Sequence, residues 1–248
     1  MGKTLNTEAI VLSRTDVGEE DRILTFLTRD YGLLKAAASG AKNLKGGRTA
    51  PLDLFVRSRI QFHVSSKAGK LCRIRSVDVV EPYIDIRQDY GRLCCASYIA
   101  EETAHCVQEA DPAEGIFDLL ASCLDQLSLN AGIYFTLFTF ETRLLVELGM
   151  APDMSGCMIC GEVIAGKASV SPREGGLAHP DCLPGTDLRV LDSGDLATLR
   201  FAAQCRLEAL SRLKINDASA VRLFRAVHSF SVHHLGFEPK TVKTLPPV

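Results

Sequence analysis

Tryptophan is absent from the 248 residues, and 5 tyrosines and 11 phenylalanines are the only other large rings. Any stacking on a base therefore falls to Phe, Tyr, His or Arg. Catalytic signatures are absent too. No G-x-x-x-x-G-K-[ST], strand-linked G-x-G-x-x-G, G-x-S-x-G or H-E-x-x-H occurs. That removes the usual sequence grounds for a nucleotide hydrolase, a dinucleotide enzyme, a serine hydrolase or a zinc protease. Long apolar runs are lacking as well. The longest uncharged, partly apolar stretch, Gln126 to Phe140, falls short of the roughly 20 residues a membrane span needs. The opening MGKTLNTEAIVLSR is polar and soon charged, unlike a secretory leader, and Asn6 stands where a myristoylation signal has Ser or Thr. These features predict a cytoplasmic chain with reduced thiols, no membrane partner and no small-molecule substrate.

What is present suits a globular protein: 46% apolar and 23% charged residues. The net charge of −2 conceals an asymmetry. Residues 1–80 hold 14 Lys+Arg against 8 Asp+Glu, net +6, and residues 81–248 hold 14 against 22, net −8. A basic first part is the electrostatic expectation for a polyanion partner.

The hydropathy period changes at the same place. Up to residue 80, the runs EAIVLSRT, RILTFLTRD, GLLKAAASGAK, FVRSRIQFHV and KLCRIRSVDVV read as five short strands, which predicts a small barrel. In the fourth run alternation sets Phe55, Arg57, Arg59 and Gln61 against Val56, Ile60 and Phe62. After Glu81-Pro82 the spacing is helical in DYGRLCCASYIAEETAHCV, GIFDLLASCLDQLSL and YFTLFTFETRLLVELGM. It is helical again in SGDLATLRFAAQCRLEAL and DASAVRLFRAVHSFSVHHLGF, with Ser193 and Asp217 as expected N-caps. The fold class is α+β, with domains at 1–80 and 81–248.

Between the third and fourth helices of that series lies CMICGEVIAGKASVSPREGGLAHPDC. Cys157, Cys160, His179 and Cys182 form two x2 pairs about twenty residues apart, the spacing of a structural zinc site. Four protein donors fill the tetrahedron zinc prefers and leave no place for a reacting water. Free thiols or a disulfide are the alternatives. Gly161, Gly175 and Gly176 supply the backbone freedom such knuckles need. The other cysteines read as small buried apolar residues.

The basic residues cluster. Lys42, Lys45 and Arg48 lie in SGAKNLKGGRTAP, which contains no acid. Lys35, Arg57, Arg59, Arg73 and Arg75 lie on the strand runs, and together these eight are the candidate DNA-binding residues. Phe55, Phe62 and Tyr31 are candidate stacking partners, because a basic barrel with aromatics holds single strands by phosphate contact and stacking. Lys67 and Lys70 add to the cluster. Arg222 and Arg225 on the last helix extend it. The Gly18–Asp21 stretch GEED reads as an exposed acidic turn, and His63, His105 and the His233-His234 pair read as structural.

The stretch IVLSRTDVGEEDRILTFLTRDYGLLKAAASGAK resembles the start of the bacterial RecO family of recombination mediators, and so do YFTLFTFETRLLVELGMAPDMSGCMICG and HHLGFEPKTVKTL. The resemblance spans nearly the whole chain. It implies an N-terminal OB-fold and a C-terminal helical domain with a zinc finger at 157–182. It also implies binding of single- and double-stranded DNA, strand annealing, partnership with RecR and the acidic SSB tail, and help in loading RecA onto SSB-coated DNA. Members commonly use four cysteines; here His179 takes the third position. A non-catalytic DNA repair mediator is the first expectation. A zinc-dependent nucleic-acid enzyme and an RNA-binding OB protein are the alternatives. For the SSB tail, Arg143, Arg200 and Arg206 are the candidate cations.

Overall fold

The computed structural model describes residues 3–17, 21–38, 52–64, 71–183 and 189–247. Lys42, Lys45, Arg48, Lys67, Lys70 and most of the GEED turn lie outside the described residues. By contact the chain divides into Met1–Ser128 and Leu129–Val248. The first three helices thus fold with the strands that precede them.

The five expected strands are β1 (Lys3–Val17), β2 (Asp21–Thr28), β3 (Gly32–Ala38), β4 (Arg57–Val64) and β5 (Cys72–Glu81). Their order is β1-β2-β3-β5-β4, and β1 pairs with β4, so the sheet closes on itself into a barrel. Period-two patterning explains the interior. Ala9, Val11, Leu24, Phe26, Ile60 and Phe62 all point inward and form its core. The β3–β5 seam is short and parallel, pairing only Ala36 with Cys72 and Ala37 with Arg73.

Phe55 departs from the expected alternation. It precedes β4 at φ 69°, and its ring is 1% exposed. Its N–H donates to the Val11 carbonyl at 2.8 Å, beside the β1 bulge between Val11 and Ser13. The bulge and this left-handed residue turn the side chain into the protein instead of onto the basic face.

The helices of the first unit are α1 (Ile84–Gln88), α2 (Tyr90–Cys106) and α3 (Glu114–Ser128). Tyr83 turns β5 into α1 in the left-handed region, at φ 44°. Its buried hydroxyl donates to Asp125 Oδ1 on α3 at 2.6 Å. That hydrogen bond helps offset a backbone cost of about 1–2 kcal/mol.

The second unit contains α4 (Ile133–Glu147), a small sheet of β6 (Ala168–Ser171), β7 (Gly176–Ala178) and β8 (Val190–Leu191), then α5 (Ser193–Gln204) and α6 (Asp217–Leu235). The sheet order is β7-β6-β8. α4 is buried on most sides, as its composition predicts. Its Thr136, Thr139 and Thr142 hydroxyls donate to the carbonyls four residues back at 2.8–3.0 Å, which makes burial of those polar groups affordable. Both expected N-caps shift by one residue. Asp192, not Ser193, accepts from the Asp195 N–H at 2.9 Å, and Asn216, not Asp217, accepts from the Ser219 N–H at 2.8 Å. α5 also stops at Gln204, and Leu207–Arg212 winds as a 3-10 turn.

Candidate nucleic-acid interface and metal centre

Strand register sorts the basic residues of the barrel into two classes. Toward one end of the outer face, Arg59 stands between Glu8 on β1 and Asp78 on β5, and Arg57 stands opposite Glu81. Arg57 Nη2 donates to Glu8 Oε2 at 2.9 Å, and Arg59 Nε lies 3.5 Å from Glu8 Oε1. Burial pushes the Glu8 carboxyl up, but the hydrogen bond and charge of Arg57, with Arg59 and Arg29, outweigh it and hold Glu8 below its usual range.

Arg57 is also packed. Its guanidinium lies 5.8 Å from the centre of the Phe117 ring, and Arg29 lies 5.3 Å from the same ring. Arg29 pairs in addition with Glu114 at 2.7 Å and with Asp118. These cations join α3 to the barrel. Arg57 is therefore paired and packed, where the sequence placed it on a positive sheet face. Arg59 is 72% exposed, lies near Glu8 and stands across from Asp78 in register.

The other end of the same face differs. Across β1, β4 and β5 run the rows Asn6–Gln61–Ser76 and Thr4–His63–Arg73. Gln61 Nε2 donates to Asn6 Oδ1 at 3.2 Å, and Thr4 Oγ1 lies 3.4 Å from His63 Nδ1. Arg73 and Arg75 are exposed and make no ion pair with a described residue. Arg75 is the extra residue of a bulge between the Gln61–Ser76 and Phe62–Ile74 pairs. Lys35 is exposed and pairs with Glu109 at 2.9 Å, a solvent-screened contact that a phosphate can replace. Of the candidate cations among the described residues, Arg73 and Arg75 are free, Lys35 is exchangeable, and Arg57 and Arg59 are engaged.

The candidate stacking rings are engaged too. Phe55 and Phe62 are both 1% exposed. Tyr31 is half-buried and meets the Phe62 ring edge-on at 5.6 Å. None of the three forms an open platform on the outer sheet face.

The metal-ligand tetrad assembles from two turns held by the small sheet. The first turn is closed by Gly161 N–H to Cys157 O and Cys157 N–H to Glu162 O, both 2.9 Å, with Gly161 at φ 76°. The second is the 3-10 turn Pro180–Cys182, where the Cys182 N–H donates to the His179 carbonyl at 3.0 Å. Met158 N–H donates to Leu177 O on β7 at 2.9 Å, which brings the two turns face to face. Gly175 has φ 75° as expected. Gly176 serves differently: a Cβ there would lie 2.4 Å from the Asp153 carbonyl oxygen, so the position requires a residue without a side chain.

The four donor atoms of Cys157, Cys160, His179 and Cys182 lie within 4.8 Å of one another. Cys160 Sγ is 3.5 Å from His179 Nδ1. An ion with bonds of about 2.3 Å to sulfur and about 2.0–2.1 Å to nitrogen gives a tetrahedral edge of about 3.6 Å, so this edge fits. The Cys160 backbone N–H, with further N–H groups from His179 and Ile159, draws the Cys157 thiol down to about 6. Burial, then the Cys160 and Cys157 sulfurs, push Cys182 up to about 11. Crowded sulfurs that cannot all ionise alone can do so around a divalent ion. The tetrad therefore suits a metal ion, and all four donors come from this chain.

Two cations expected to be accessible on the helical unit are also engaged. Arg222 forks onto Asp195 at 2.9 and 3.2 Å, and Arg143 donates to the Ala203 and Cys205 carbonyls at 3.0 and 3.1 Å. Arg200 borders a pocket of about 390 Å³ with Val146, Ala151, Pro152 and Met154. Arg206 and Arg225 are exposed. Spacing alone gives no sign of these contacts, because Asp195 is 27 residues from Arg222, and the Ala203 and Cys205 carbonyls are 60 and 62 residues from Arg143.

No helix of the described residues is long and apolar enough to cross a membrane. The family of the recombination protein O N-terminal part matches residues 1–83, and that of the recombination protein O C-terminal part matches residues 87–243. A protein of Syntrophobacter fumaroxidans named DNA repair protein RecO is 32% identical over 98% of this chain and 97% of its own. Proteins of the same name from Myxococcus xanthus and Anaeromyxobacter sp. strain K are 28% and 31% identical, over 95% and 92% of this chain and 94% and 90% of their own. With both halves matched and relatives aligned from end to end, the chain belongs to the RecO family of DNA repair proteins.

Proposed function

We propose that the protein is a non-catalytic mediator of DNA repair that binds single- and double-stranded DNA and anneals complementary strands. With RecR, it helps load RecA onto SSB-coated DNA. The observation that carries this reading is the end-to-end match to the RecO family. The five-stranded barrel order 1-2-3-5-4 supports an OB-fold for residues 1–80, with 81–248 as the helical domain, and family boundaries at 83 and 87 favour that division.

Arg73, Arg75 and Lys35 are the described cations we assign to phosphate contact, and Lys42, Lys45 and Arg48 carry the same assignment from the sequence. Cys157, Cys160, His179 and Cys182 hold a structural zinc in this reading, with all four positions filled by protein. The SSB tail is assigned to the pocket beside Arg200, where apolar walls meet a cation. Such a contact derives most of its energy from its apolar anchor. The surface for RecR is assigned to no residue. The protein acts in the cytoplasm and joins the nucleoid when bound to DNA.

Strand annealing with SSB-coated complementary oligonucleotides tests the reading. The full chain should speed duplex formation well above the spontaneous rate. Equal rates with and without the protein would refute it, and a stronger preference for RNA would favour the RNA-binding alternative.

A further inference from the structure

One end of the barrel contains a pocket of about 590 Å³ that neither the family match nor the annealing role assigns. Its walls are apolar: Leu5, Leu34, Phe62, Val64 and Leu71, with the Tyr31 ring set edge-on against Phe62. Lys35, paired with Glu109, stands at its edge.

Strand alternation gives this pocket an unusual rim. Along β1, β4 and β5 the lining residues Leu5, Phe62, Val64 and Cys72 point in, so their strand neighbours point out, and on β3 Lys35 reaches the edge beside Leu34. Those neighbours are Thr4 beside Leu5, His63 between Phe62 and Val64, Arg73 beside Cys72, and Lys35 beside Leu34. Exposed Lys3 begins β1 at the same end, and Arg75 follows two residues after Arg73. The strand carboxylates Glu8, Asp78 and Glu81 lie toward the other end, where Glu8 pairs with Arg57 and Arg59. Among the described residues, Glu109 is the one carboxylate that lines the pocket.

An apolar slot bordered by cations and neutral hydrogen-bonding groups matches one nucleotide of a single strand: a flat ring for the slot, a phosphate on either side for the rim. It matches a buried peptide side chain less well, because nothing in a peptide backbone calls for flanking cations. We propose that the barrel-end pocket takes an unstacked base of single-stranded DNA, with the adjoining phosphates on Arg73, Arg75 and Lys35. The proposal rests on the DNA-binding reading above and adds where a base goes. It also fits the absence of an open aromatic among the three candidate rings: Tyr31 and Phe62 line the slot and form no platform outside it.

The lack of tryptophan makes the test direct. Leu71 is 38% exposed at the mouth, so Leu71→Trp adds a single indole without disturbing the core. In the full-length variant, oligothymidylate should quench that fluorescence, and an abasic deoxyribose-phosphate strand of equal length should not. Wild-type protein should bind the thymidylate strand roughly tenfold more tightly than the abasic one. Val64→Phe, which fills the slot, should remove that difference. Arg73→Ala with Arg75→Ala should weaken both strands and reduce the salt slope by about 1–1.5. If wild-type protein binds both strands equally, or the indole is not quenched by bound thymidylate, the pocket inference is wrong while the DNA-binding reading stands. If neither strand binds wild-type protein, both fail.

Discussion

His228 Nδ1 on α6 lies 2.8 Å from Glu141 Oε1 on α4, and the Glu141 side chain is wholly buried. The imidazole also stacks on Phe224 at 5.2 Å, and Glu238 lies 3.9 Å from its other nitrogen. α4 and α6 thus meet across a polar contact inside an apolar interface. Removing one partner of such a pair costs more than the pair contributes, because the other is left buried without it. His228→Ala should lower stability by about 3–5 kcal/mol. Glu141→Gln, which keeps a hydrogen-bonding oxygen, should cost less. Urea unfolding of both variants checks this, and a His228→Ala variant as stable as wild type would remove the argument.

Arg57 and Arg73 should separate in function although both were expected to touch DNA. Arg57→Gln should lower stability and leave DNA affinity per folded molecule within about twofold. Arg73→Gln should do the reverse. The Arg57 effect should depend on pH. The Glu8 carboxyl is held below its usual range in the folded state, so its contribution is present above the unfolded value and is lost as pH falls through the lowered one. The stability gap between wild type and Arg57→Gln should therefore be largest near neutrality and shrink below about pH 4. A gap that grows on acidification contradicts the pairing.

DNA affinity as a whole should depend on salt. If about 4–6 phosphates are neutralised, log K against log salt should fall with a slope near −3 to −4. Reversing Lys42, Lys45 and Arg48 to Glu should weaken binding regardless of base sequence. Filter binding across a salt series reads both, and an unchanged triple variant would remove the loop from the interface.

Metal analysis of the purified full chain should find one zinc, released by chelator with loss of stability. Cys160→Ser should reduce solubility or stability, with annealing per folded molecule little changed. A chain purified without chelator and free of zinc would end the structural-zinc assignment.

The Arg200 pocket should bind a labelled peptide of the SSB tail, and Arg200→Glu should weaken it. Deleting the terminal aromatic of the peptide should abolish binding, since the anchor carries most of the energy. Binding that survives both changes places the tail elsewhere.

The sequence by itself determined what depends on local order. The period-two runs placed all five barrel strands, because an inner and an outer face must alternate wherever one is buried. The period of 3.6 placed the long helices, and the x2 pairs named all four members of the Cys/His cluster, because each pair is made within a single turn. It missed α1 and the three short strands beside the tetrad, which are too brief to carry a period. The shifted caps reflect adjacent residues of similar capping chemistry, Asp192 beside Ser193 and Asn216 beside Asp217. The tertiary structure decided which charges are free. Arg57 and Arg73 look alike on alternating strands, but Glu8 is 49 residues from Arg57 in the chain and pairs with it only because β1 closes the barrel against β4. Closure likewise gathers Leu5, Tyr31, Phe62 and Leu71 around one pocket. Ion pairs and cavities are set by register across strands, and register is a property of the folded sheet rather than of any one segment.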